Sequence, residues 1–138
     1  MNNVSEIVEK ELEGQYCLKK VDEMIELAYS IIPHWPAVFR YSRGERIFHL
    51  LFEMQELCVA AHLKYFKKTT LQDLDIKNHI LRIAVRSAHK MKYLDKSNHP
   101  KRLIQIGGYE EWARLSLETG NLIGGWMAAL KDKSKEKE

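Results

Sequence analysis

The chain has 138 residues, one domain's length, of which 45% are apolar and 30% charged. That balance suits a single packed core and excludes a disordered chain. The apolar run 122–130 is too short to cross a bilayer, and Glu6, Glu9, Glu11 and Glu13 stand where a signal peptide would need positive charge. The expected setting is the cytoplasm, with no membrane contact.

The net charge of +3 is unevenly spread. Residues 1–27 carry three basic and seven acidic groups, a net of −4, and residues 28–39 carry none. Residues 40–102 carry fourteen basic and six acidic groups, a net of +8, and the remainder has −1. A segment this cationic attracts polyanions or an acidic protein face. Solubilising charge on exposed helix faces leaves the same signature.

In chain order, residues 1–13 are acidic and weakly amphipathic, and Gly14 reads as a break. Residues 1–14 are thus expected as a separate segment, with a bundle over 15–131 and a charged, frayed tail over 132–138. From Gln15 to Ile32 the apolar positions Leu18, Val21, Ile25, Ala28 and Ile32 recur at three- and four-residue steps, predicting a helix. Pro33 and Pro36 stop it. Ser42 followed by Glu45 matches a capping box and predicts the start of a second helix. Ile47, Leu50, Leu51, Met54, Leu57, Cys58 and Ala61 carry its stripe to about Lys67.

A short polar connection follows, and Thr70 with Asp73 matches another N-cap signature. The third helix is predicted to run to about Leu94. At 100° steps, Leu74, Ile80, Leu81, Ala84, Val85, Ala88 and Met91 share one face. Arg82, Arg86, His89, Lys90 and Tyr93, with His79, fall opposite. Lys77 projects near the apolar centre and is expected to snorkel. Residues 95–105 read as a polar loop. The last helix is predicted from Tyr109 to about Lys131, with Trp112, Leu115, Thr119, Leu122, Trp126 and Leu130 facing inward. Four helices without a strand period give an all-α, antiparallel up-down-up-down four-helix bundle.

No catalytic set emerges. Cys17 and Cys58 cannot form a disulfide framework or a closed zinc site and read as small buried side chains. The six histidines include no H-E-x-x-H pair, and no phosphate loop or nucleophile elbow is present. Glu53 and Glu56 at i, i+3 lack a matching Glu-x-x-His helix and read as solvated. The expectation is a protein without enzymatic activity, metal, cofactor or small-molecule substrate.

Two features remain. Arg82 and Arg86 are like charges one turn apart, which costs a helix a few tenths of a kcal/mol. Either the face is simply solvated, or an anionic partner offsets the repulsion. Arginine forks onto phosphate or carboxylate, and Tyr93 adds a stacking surface. Gly120, Gly124 and Gly125 each cost a helix interior about 0.5–1 kcal/mol against Ala. Such a cluster points to close helix approach, within one bundle or between subunits, with Trp126 filling space beside it.

The run Glu118-Thr119-Gly120-Asn121-Leu122-Ile123-Gly124-Gly125-Trp126-Met127 resembles the closing motif of accessory variability determinant (Avd) proteins. These are four-helix-bundle partners of the reverse transcriptase in diversity-generating retroelements. Residues 29–33, Arg46-Ile47-Phe48, Leu81-Arg82-Ile83-Ala84-Val85-Arg86 and Tyr109-Glu110 are similar too, so the resemblance spans about residues 17–131. It implies a homopentamer with a basic surface that binds reverse transcriptase and template RNA (or DNA in its place) during mutagenic retrohoming. Arg82 and Arg86 match positions the family uses for that binding. Asn121 departs from the arginine common in relatives, and the 95–105 loop is longer than usual. A sister family encoded within ribosomal RNA intervening sequences shares the bundle, but its motifs are not visible here.

Overall fold

A computed structural model describes the backbone of residues 2–136 and the side chains of residues 15–132. Four long helices dominate: α1 (Asn2–Ile31), α2 (Glu45–Leu63), α3 (Lys68–Lys90) and α4 (Ile106–Glu136). Each packs on its chain neighbour, and α4 returns to pack on α1. Paired residues show the directions. Cys17 and Tyr29 of α1 meet Cys58 and Phe48 of α2, and Lys77 of α3 meets Glu53 of α2. Asn78 and His89 of α3 meet Ser116 and Tyr109 of α4, while Lys20 of α1 meets Glu118. The order of contacts reverses from one helix to the next, so the expected up-down-up-down bundle is the fold.

The core takes Val21, Met24 and Ala28 from α1, and Leu50, Leu51 and Met54 from α2. Leu74, Leu81 and Ala88 of α3 and Trp112, Leu115 and Ile123 of α4 complete it. Burying each of the larger side chains contributes about 1.5–3 kcal/mol. Ile123 fell outside the predicted inward stripe of α4, whereas Leu122, Trp126 and Leu130 are only half-buried against the core.

Several boundaries differ from the sequence reading. Gly14 does not break α1, which is continuous from Asn2. One glycine costs less than the helix formers around it supply. The expected acidic segment and charged tail concern side chains almost wholly outside the described residues, although the backbone of α4 stays helical to Glu136. Ser42 is not an N-cap. Pro36 already opens a helical turn at Ala37–Phe39, followed by a π turn at Arg40–Gly44 that runs into α2. Ser42 Oγ therefore donates back to the Val38 carbonyl at 2.7 Å. Gly44 lies against the preceding turn, where an added Cβ would sit 2.7 Å from Ile32 Cγ2.

Thr70 is no cap either: it is buried inside the first turn of α3 and accepts a bond from Lys64 Nζ at 3.2 Å. α3 ends at Lys90, not Leu94, and α4 begins at Ile106, ahead of Tyr109. Between them lies a hairpin, not a polar loop. Strand β1 (Lys92–Leu94) pairs antiparallel with β2 (Pro100–Arg102). Asp95 Oδ1 closes the turn by accepting from the Ser97 and His99 amides at 2.8 and 2.9 Å, with Asn98 left-handed at φ 61°. The returning chain buries Leu103 and Ile104, and buried Trp35 donates its indole N–H to the Leu103 carbonyl at 2.6 Å. The hairpin is thereby pinned to the end of the bundle.

Candidate nucleic-acid interface

α3 has three non-core edges, and the structure sorts the predicted binding residues among them. Toward α4 stand Asn78, Arg82 and His89. Asn78 is fully buried; its Nδ2 donates to the Ser116 carbonyl at 3.0 Å, and its Oδ1 accepts from Ser116 Oγ at 3.0 Å. Arg82 is not on a free outer face. Its half-buried guanidinium turns to α4, donating from Nε to Ser116 Oγ at 3.2 Å, with Nη2 3.5 Å from the Ser116 carbonyl. Among the described residues it pairs with no carboxylate.

His89 is likewise drawn in. Its ring stacks flat on Tyr109 with centroids 4.4 Å apart, and its Nδ1 lies 2.8 Å from the Ile104 carbonyl, which makes that nitrogen the protonated one. Tyr93 belongs to β1, half-buried and tilted against Phe39 at 6.4 Å, so it does not extend a helical stripe. The 100° projection missed this because α3 stops three residues short of it.

Toward α2, Lys77 Nζ reaches Glu53 Oε2 at 2.6 Å. It is an ion pair across the seam, not a snorkelling side chain, and the ammonium holds the Glu53 carboxyl below its usual range. Further along, Arg43 Nη1 donates to Ser87 Oγ at 2.9 Å. The outward edge carries exposed Ile76, His79, Ile83, Arg86 and Lys90.

Arg86 and Lys90 thus keep the exposure expected of them, and they have company that sequence reasoning missed. Exposed Arg43 and Arg46 line an open cleft of about 350 Å³ with Ser42, Ile47 and Ala84. The signal was the three-residue spacing of Arg40, Arg43 and Arg46, hidden by the assumption that a helix began only at Ser42. Exposed Lys92, Lys96 and Lys101 add charge from the hairpin. Residues 76–94 contain no Asp or Glu. This end of the α2–α3 pair is therefore a concentrated cationic surface, able to hold successive phosphates or an acidic protein face.

The glycines do not bring helix backbones together within the chain. An added Cβ at Gly120 would meet side-chain atoms, Asn78 Nδ2 at 3.4 Å and Arg82 Nη2 at 3.6 Å. Gly124 and Gly125 are exposed, with nothing within 4 Å of such an atom. Trp126 is half-buried and lies under Lys67, whose Nζ is 5.6 Å from the ring centroid. Close packing inside one bundle is excluded as the reason for Gly124 and Gly125.

Against this geometry, a family model described as bAvd-like matches residues 16–130. The chain belongs to the bAvd-like family. The matched stretch of this bAvd-like protein takes in the α3–α4 seam and the whole cationic end. Curated proteins give no match. Among the described residues, no helix is long and apolar enough to cross a membrane, and no three His, Cys, Asp or Glu side chains gather as a metal site would require.

Proposed function

We propose that this bAvd-like protein is a non-catalytic accessory factor of a diversity-generating retroelement, working in the cytoplasm. It holds the template RNA by its phosphates and presents it to the reverse transcriptase. The observation that carries this reading is the cationic end of α2 and α3, where Arg43, Arg46, Arg86 and Lys90 stand exposed beside a stretch free of acidic residues. Arg82 acts here as a positioning residue: its bonds to Ser116 fix the α3–α4 seam that sets Arg86 and Lys90 outward.

The protein works as a homo-oligomer, with five subunits the expected number. Each weak phosphate contact then gains effective concentration from its neighbours, and five copies concentrate about +15 of formal charge. The exposed Gly124 and Gly125 are suited to a contact between subunits, with Trp126 beside it.

The test is complementary-strand synthesis by the reverse transcriptase of the same retroelement on its template RNA. Omitting the protein, or supplying R43A/R46A/R86A/K90A, should abolish the mutagenic product. Undiminished synthesis with the quadruple variant would exclude this surface. A second reading, a protein-interaction bundle without RNA binding, is favoured by exposed Ile76 and Ile83, one heptad apart on the outward edge of α3. RNA retention that is absent, or flat with salt, would favour it.

A further inference from the structure

The connection between α2 and α3, at the other end of the bundle from the cationic cleft, is only residues 64–67: Lys64, Tyr65, Phe66 and Lys67. A turn of this length needs no large apolar groups, yet Tyr65 is 78% exposed and Phe66 85%. Neither ring packs against the core. They pack on each other edge to face, with centroids 4.9 Å apart and planes at 88°. That arrangement leaves flat ring surface open to solvent. Lysines flank them in the chain. Lys64 and Lys68 are exposed, Lys64 Nζ spending one of its three donors on Thr70 Oγ1 at 3.2 Å. Lys67 is held between the His62 carbonyl, 3.1 Å from its Nζ, and the Trp126 ring. No acidic residue occurs from position 57 to position 72.

We infer that this corner is a stacking site for single-stranded nucleic acid, in which unpaired bases lie on Tyr65 and Phe66 while Lys64 and Lys68 meet the flanking phosphates. Charge selects a polyanion over an acidic-free apolar partner, and flat rings between cations select bases that are not already stacked in a duplex. About 27 Å of helix separates Arg46 from Lys64 at 1.5 Å per residue, so the corner is a second contact distinct from the phosphate-holding cleft. The inference rests on the nucleic-acid reading above and adds to it a preference for unpaired strands.

The experiment is fluorescence anisotropy with the full chain, using a labelled twelve-nucleotide oligouridine and a duplex RNA of equal length as probes. Y65A/F66A should bind the oligouridine about tenfold or more weakly, because stacking is lost, while duplex binding holds. Y65W/F66W should restore single-strand binding, and R43A/R46A should weaken both probes. Wild-type affinity for oligouridine in Y65A/F66A would overturn the stacking site and leave the phosphate-holding cleft standing. Binding of neither probe by the wild type would overturn the nucleic-acid reading together with this one. A change in native mass in Y65A/F66A would make the corner a contact between copies, and loss of binding to phosphatidylserine vesicles alone would make it a membrane contact. Either result would also overturn it.

Discussion

Arg82 and Ser116 are joined across the α3–α4 seam, the guanidinium Nε donating to the serine hydroxyl at 3.2 Å while that hydroxyl donates on to buried Asn78. An arginine that projects as an outward ligand on a helical wheel is thereby part of the bundle's own hydrogen-bond network. Removing it strips a charged donor from a buried serine, which costs about 1–2 kcal/mol. Arg82→Ala should lower the thermal midpoint by several degrees, and Arg82→Lys should recover part of the loss. Arg86→Ala, on an exposed position, should stay within about 0.5 kcal/mol of the parent. Differential scanning calorimetry of the three variants decides it; equal midpoints for Arg82→Ala and the parent would contradict the network.

The glycines separate by surroundings. Gly44→Ala drives a Cβ to 2.7 Å from Ile32 Cγ2 and should destabilise, since backbone and a packed isoleucine must both shift. Gly120→Ala makes ordinary contact and should be tolerated. Gly124→Ala and Gly125→Ala meet open space, so each should gain about 0.5–1 kcal/mol from helix propensity. Sedimentation velocity on the same samples reads the assembly: a drop in native mass in Gly124→Ala locates a subunit contact there.

Acid should weaken the seams. Lys77 depresses the Glu53 carboxyl, and Lys20, then Arg114, depress that of Glu118; Arg114 does the same for Glu111. A folded pKa below the unfolded value gives stability that is complete above the ordinary carboxylate range. It is lost as pH falls through the depressed folded value. The thermal midpoint should therefore hold from pH 7 to about pH 5 and fall below about pH 4. Glu53→Gln should fall less steeply, because one of the linked protons is removed from the balance. A parallel decline in that variant would exclude the Glu53–Lys77 pair from the effect. All these groups are substantially exposed, so added salt should shrink the difference.

The core sulfurs report helix register. Cys17 and Cys58, 41 positions apart, face each other at 3.6 Å and are both buried. Donation to Cys17, with burial, pushes the Cys58 thiol well above its ordinary range, while the same bond lowers that of Cys17. Both are buried, so both should resist alkylation in the native state. Diamide, accepting two hydrogens, should join them once the core opens, and C17S or C58S should abolish the product. Closing a loop of this length adds up to about 4 kcal/mol through the unfolded chain. Rapid alkylation of the folded protein would contradict the α1–α2 register.

The bundle was legible because apolar residues at three- and four-residue steps admit one solution: Val21, Leu50, Leu81 and Leu115 had to face inward. The ends were less legible, for local reasons. Pro36 and the π turn start the second helical run before the Ser42 signature, so Arg43 already lies within a helical turn. Asp95 and Asn98 build a turn whose hydrogen bonds support a hairpin as well as a loop. The stripe on α3 was half legible: periodicity separates a polar face from an apolar one, but not which polar residues a neighbouring helix will engage. Arg82 and His89 were claimed by Ser116 and Tyr109, residues whose proximity no local pattern reveals. Tyr65 and Phe66 were read as the last turn of the second helix, carried to about Lys67, because periodicity does not mark the stop at Leu63.

Phosphate binding at the proposed site, the cationic end of α2 and α3, is read from a salt titration of RNA binding. With the template RNA, the logarithm of affinity should fall linearly with the logarithm of salt, the slope being about −0.7 per phosphate contact for single strands. R43A/R46A/R86A/K90A should bind more weakly and with a shallower slope, its thermal midpoint lowered only by the loss of the exposed Arg43–Ser87 bond. An affinity and slope equal to the parent's would contradict the claim.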